Sequence, residues 1–68
     1  MDGLVVKELR DGLSEKWSRK VTQHELGDII GVDQKTINLW EHEKGRPGRL
    51  ARRAINQIIK KEGIVLKD

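Results

Sequence analysis

The chain has 68 residues, one proline, no cysteine, and 14 basic against 11 acidic residues for a net charge of +3. A chain this short makes one domain, 1–68, burying only about 60% of the surface its unfolded form exposes. That leaves no room for two lobes around a substrate cleft, which argues against an enzyme, and without cysteine no disulfide or thiolate metal site can staple the fold.

At the N-terminus Val6, Leu9, Leu13 and Trp17 recur at spacings of 3, 4 and 4, which predicts a helix over 4–20. Asp11-Gly12 interrupts that pattern, and glycine costs about 1 kcal/mol against alanine inside a helix. A second reading makes Leu4-Val5-Val6 a short strand and starts the helix near Asp11. Ile64-Val65-Leu66, after Gly63, would then be its antiparallel partner.

The segment 22–30 opens Thr-Gln-His-Glu. Thr22 can accept a bond from the backbone N–H of Glu25, whose carboxylate reaches back, as a capping box. Leu26, Ile29 and Ile30 fall on one helical face. Gly31 stops the helix, since glycine takes the left-handed conformation common at helix ends. Asp33 is a good N-cap for a second helix over 33–43, with Ile37 and Trp40 turned inward. Lys44-Gly45 ends it, and Pro47 suits the first turn of the next helix. A last helix over 48–61 has Leu50, Ala51, Ala54, Ile55, Ile58 and Ile59 as its buried stripe, and Gly63 terminates it. The predicted fold is mainly α, a compact domain of four or five helices with or without the terminal strand pair.

Charge is unevenly spread along this order. Residues 1–43 carry six basic and nine acidic side chains, whereas 44–68 carry eight and two. Between Lys44 and Lys61 lie seven basic residues and no acid. Such a block fits either a polyanion partner or a solvated basic helix face. No apolar run exceeds four residues, against about 20 needed to span a membrane. Met1-Asp2-Gly3 lacks the basic start of a secretory signal, so a cytoplasmic protein with no membrane partner is expected.

Two capped helices joined by Gly-Val-Asp match a helix-turn-helix over 22–43, whose second helix enters the DNA major groove. Leu26, Ile30, Val32, Ile37 and Trp40 would fix the angle between the helices, and Gly27 would permit their close approach. The outward face of the second helix offers Gln34, Lys35 and Asn38. Glutamine and asparagine can pair bidentately with adenine, and lysine can donate to guanine O6 or N7. Leu39, about 200° round from Ile37, is either an incidental surface leucine or a contact for a thymine methyl.

The run Gln23-His-Glu-Leu-Gly-Asp-Ile-Ile-Gly31-Val-Asp-Gln-Lys-Thr-Ile37-Asn-Leu-Trp40-Glu41 resembles the helix-turn-helix of Cro/repressor-type (XRE-type) transcriptional regulators. Gly45-Arg46-Pro47 and the helix after it are similar to the same family, particularly its antitoxin-like branch. The resemblance covers about 21–59. Where the family usually carries alanine this chain has Gly27, and the family's first helix, with paired arginines before the motif, is matched poorly.

The resemblance implies a lambda-repressor-like fold and a sequence-specific regulator of transcription, a repressor, on double-stranded DNA. It implies that Gln23 touches a phosphate, that Gln34, Lys35 and Asn38 face bases, and that Lys44 and Arg46 flank the backbone. Arg49, with Arg52 and Arg53, either approaches phosphates or keeps its helix soluble. One such helix reads few base pairs, so a homodimer on a two-fold related operator is expected, with Ile58, Ile59 and the apolar termini as candidate dimer surface. The competing reading is a protein-interaction module that keeps this fold and binds a partner such as a toxin or a polymerase subunit.

Thr22 and Glu25 are expected as caps, and Trp17 and Trp40 as core. His24 and His42 are too few and too far apart for a metal site. Glu41 and Glu43 lie on opposite helix sides, so no acid–base pair is indicated. No catalytic residue, metal or cofactor is expected.

Overall fold

A computed structural model describes residues 3–66, in four helices: α1 Gly3–Lys16, α2 Gln23–Ile30, α3 Gln34–Glu41 and α4 Arg49–Glu62. Among the described residues there is no strand, so the alternative pairing of Leu4-Val5-Val6 with Ile64-Val65-Leu66 does not form. The 3-4 spacing decides the matter. Val6, Leu9 and Leu13 are fully buried on one face of α1, a face that a strand start at Leu4 would have broken.

Gly12, which interrupted the helical pattern, has a packing role instead. The segment after α4 crosses α1 there, and a Cβ at Gly12 would lie 2.7 Å from Ile64 Cγ2. Lys16 Nζ donates to the Glu62 carbonyl and Trp17 Nε1 to Glu62 Oε1 (3.2 Å), tying the end of α4 to the end of α1.

α1 stops at Lys16, four residues short of the expectation. Ser18 adopts a left-handed conformation (φ 53°), which turns the chain so that Val21 enters the core fully buried. Ser14 Oγ holds that turn. It accepts the Val21 N–H at 2.9 Å and donates to the Arg10 carbonyl at 2.9 Å. Trp17 is consequently half-buried, with the Arg19 guanidinium 5.3 Å from its ring.

The α2 cap forms in half. Thr22 Oγ1 accepts the Glu25 N–H at 3.1 Å. The Glu25 carboxylate turns to Arg19 (Nη1–Oε1 2.6 Å) and does not return to the Thr22 backbone. A charged guanidinium is a stronger partner than one amide, and it holds the Glu25 carboxyl below its ordinary range. Gly31 ends α2 in the left-handed region (φ 98°), its N–H and that of Val32 both donating to the Gly27 carbonyl.

α3 ends two residues earlier than expected. The left-handed residue there is Glu43 (φ 57°), not Gly45, and the Lys44 N–H closes the turn onto the Leu39 carbonyl at 2.8 Å. Pro47 is buried and stands one residue before the α4 N-cap, Gly48, outside the helix.

Val6, Leu9, Leu13, Val21, Leu26, Ile37 and Ile55 are fully buried, with Trp40 6% exposed. At about 1.5–3 kcal/mol for each large aliphatic side chain removed from water, this cluster supplies the main driving force. The α4 stripe is narrower than expected. Ile55 is its fully buried member, while Ile58 and Ile59 pack half-buried against the core, which uses much of the surface they offered to a dimer. Leu50 is 81% exposed, because five residues from Ile55 places it about 140° round the helix. Ile29, at the edge of the α2 face, is 40% exposed.

Gly27 is buried where α2 meets the start of α3, and a Cβ there would lie 2.5 Å from the Val32 carbonyl oxygen. A backbone carbonyl cannot rotate away as a side chain can. Gly27→Ala is therefore expected to destabilise by about 1–3 kcal/mol in urea unfolding through forced displacement of the turn. A gain in stability, as helix propensity alone would give, would contradict this packing.

Candidate functional site

α3 is set at both ends by hydrogen bonds that leave one face open. Asp33 caps it, accepting the Thr36 N–H at 2.9 Å and the Thr36 hydroxyl at 2.6 Å. The Thr36 hydroxyl, followed by its backbone N–H, holds the Asp33 carboxyl below the ordinary aspartate range. Ile37 and Trp40 anchor the opposite side in the core. On the outward side Gln34, Lys35 and Asn38 are exposed, and Leu39 is 38% exposed. At about 100° per residue these four cover a continuous arc of about 140°, so all can meet one surface.

A polar network behind this face fixes it to the rest of the fold. Arg10, from α1, forks onto Glu41 with Nε–Oε2 and Nη2–Oε1 distances of 2.9 Å each. The side chains are 18% and 5% exposed. Arg10 Nη1 also donates to the Val21 carbonyl at 3.3 Å. Bonding to the Glu41 carboxylate outweighs burial and raises the Arg10 pKa above its ordinary value, so the guanidinium is charged at every accessible pH. Gln23 Nε2, from the first turn of α2, donates to Glu41 Oε1 (3.2 Å) and to Asn38 Oδ1 (3.3 Å).

Of the residues expected at a phosphate, Gln23 is half-buried, and its amide nitrogen is turned toward Asn38 and Glu41. Lys44 and Arg46, in the connection after α3, and Arg49, at the start of α4, are exposed. Among the described residues none of Lys35, Lys44, Arg46 or Arg49 has an acid within ion-pair distance. The fold thus brings Gln23 and Asn38 together, and α3 leads directly into the basic connection.

Sequence reasoning missed two features. The Arg10–Glu41 pair spans 31 positions, and no local pattern links its members. The sequence places Glu41 at the end of the run that resembles a helix-turn-helix but offers no sign of a partner on α1. His42 is exposed and falls within the same arc as Asn38, its Nδ1 2.8 Å from the Asn38 carbonyl oxygen. The helical spacing of 38 and 42 carried that signal.

Chemically the face can donate and accept hydrogen bonds and present positive charge. Among the described residues no three metal-binding side chains come together, and no helix is long and apolar enough to cross a membrane. No family model, curated protein or solved structure matches the chain.

Glu41→Ala leaves the largely buried Arg10 without its carboxylate and Gln23 with Asn38 alone. Breaking a buried ion pair from one side costs roughly 3–5 kcal/mol. With Arg10 18% exposed, water recovers part of this, and chemical unfolding is expected to record a loss of about 2–3 kcal/mol. A loss below about 1 kcal/mol, the scale of surface pairs, would show that the network does not hold the fold.

Proposed function

We propose that this chain is a sequence-specific double-stranded DNA-binding protein of the Cro/repressor type. On this reading α2, the Gly31-Val32-Asp33 turn and α3 form a helix-turn-helix, and α3 is the helix that enters the major groove. The observation that carries the proposal is the outward face of α3. It presents Gln34, Lys35, Asn38 and Leu39 on one arc with no acidic side chain among them, and it continues into exposed Lys44, Arg46 and Arg49. A face built to meet a polyanion needs cations to hold phosphates and short polar side chains to read base edges.

The roles follow from chemistry. Lys35 donates to guanine, Gln34 and Asn38 pair with adenine, and Leu39 meets a thymine methyl. Lys44, Arg46 and Arg49 hold the phosphate backbone, releasing counterions as they do so. Gln23 positions Asn38 through the bond to Oδ1, and its amide reaches a phosphate by exchanging the bond to Asn38 or Glu41 for one to the phosphate oxygen. Because a single eight-residue helix reads few base pairs, the protein works as a homodimer on half-sites one helical turn apart. Its role is that of a cytoplasmic repressor of transcription, without catalytic activity or cofactor.

Asn38→Ala is expected to reduce discrimination between the preferred duplex and a single-base variant by roughly 1–3 kcal/mol, measured by competition binding. Arg46→Ala should weaken binding to all duplexes alike and lower the slope of log K against log salt by about 1. Absence of any duplex complex in a gel shift at low salt would overturn the proposal.

A further inference from the structure

We propose a second phosphate-binding surface along α4, separate from the α3 face. It takes duplex DNA as its partner from the reading above and, apart from Arg49, which borders both surfaces, rests on other side chains. Arg49, Arg52, Arg53, Asn56, Gln57 and Lys60 line one shallow groove of about 570 Å³ on the outer flank of α4. All six are exposed. Among the described residues none of the four cations has an acid within ion-pair distance.

The helix itself is committed elsewhere. Ala51, Ile55, Ile58 and Ile59 pack into or against the core, so apart from the exposed Leu50 the basic flank is what α4 offers to a partner. From Arg49 to Lys60 the stripe extends about 16 Å at 1.5 Å per residue. Successive phosphates rise about 3.4 Å apart on one strand, so the stripe is long enough to follow several of them.

The composition of the groove selects among polyanions. A protein interface has an apolar core with a polar rim, and no apolar side chain lines this groove. Adsorption to an anionic membrane surface uses the apolar face of an amphipathic helix, and that of α4 is inside the fold apart from Leu50. A phosphodiester backbone requires cations and amide donors without an apolar anchor, which is the set present. The stripe therefore adds sequence-independent affinity, and the α3 face supplies the preference.

The test measures the salt dependence of binding for the full chain on a 20-base-pair random-sequence duplex and on a duplex selected for tight binding. Four proteins are compared: the unaltered chain, Arg52→Gln with Lys60→Gln, Arg46→Gln, and Gln34→Ala with Asn38→Ala. Far-UV circular dichroism checks that each is folded, and glutamine preserves helix propensity at both stripe positions. Loss of two phosphate contacts should lower the slope of log K against log salt by about 1.8 on both duplexes, leaving their affinity ratio unchanged. The Gln34→Ala, Asn38→Ala protein should lose the ratio and keep the stripe's share of the slope. If the stripe variant matches the unaltered chain while Arg46→Gln lowers the slope, the α4 surface is refuted and the α3 reading stands. If the unaltered chain binds neither duplex, both are refuted.

Discussion

The arrangement of this small fold turns on one ion pair. Arg10 and Glu41 lie 31 residues apart and meet in a bidentate contact that is mostly shielded from water. Their attraction is strong only because the aliphatic cluster around them lowers the local dielectric, and that cluster is brought together by the helices the pair connects. Arg10 reaches the backbone of Val21 as well as Glu41, and Gln23 reaches Glu41 and Asn38. One polar chain thus runs from α1 through the turn before α2 to the exposed face of α3. Holding a surface asparagine in a fixed orientation needs such support, because an unrestrained side chain loses rotamer entropy on binding.

Much of the fold was legible in local patterns. The N-caps at Thr22 and Asp33, the glycine stops at Gly31 and Gly63, and the inward residues Leu26, Ile37 and Ile55 depend on interactions within a few residues, and all are present. The misreadings share a different origin. Gly12 looked like a helix interruption because its reason, contact with Ile64, lies 52 positions away. Local sequence gives Glu25 a capping-box role, whereas Arg19, brought within reach by the turn after α1, takes its carboxylate. Hydrophobicity alone puts Leu50 in the core, but its helical phase leaves it exposed. The left-handed turn after α3 fell on Glu43 because the length of the helix, set by Trp40 in the core, decided which residue had to turn.

The proposed site was legible in part for the same reason. Exposure of Gln34, Lys35, Asn38 and Leu39 follows from the phase of one helix, and the structure agrees with each. Gln23 depends on how two helices cross, and it turns toward Asn38 and Glu41. The modest net charge of +3 concealed a directional arrangement. Among the described residues five acids have side-chain partners: Glu25 with Arg19, Asp28 with His24, Asp33 with Thr36, Glu41 with Arg10 and Glu62 with Trp17. The basic residues of the α3–α4 connection and the α4 flank stand free of such pairing, so the field at that surface exceeds what the sum of charges implies.

The central claim is that the α3 face reads base sequence, and selection of bound duplexes from a random library at about 0.1 M salt tests it most directly. The account predicts enrichment of a short motif repeated as two inverted half-sites about one helical turn apart. Recovery of duplexes with no shared motif, at affinities that depend on salt alone, would contradict it.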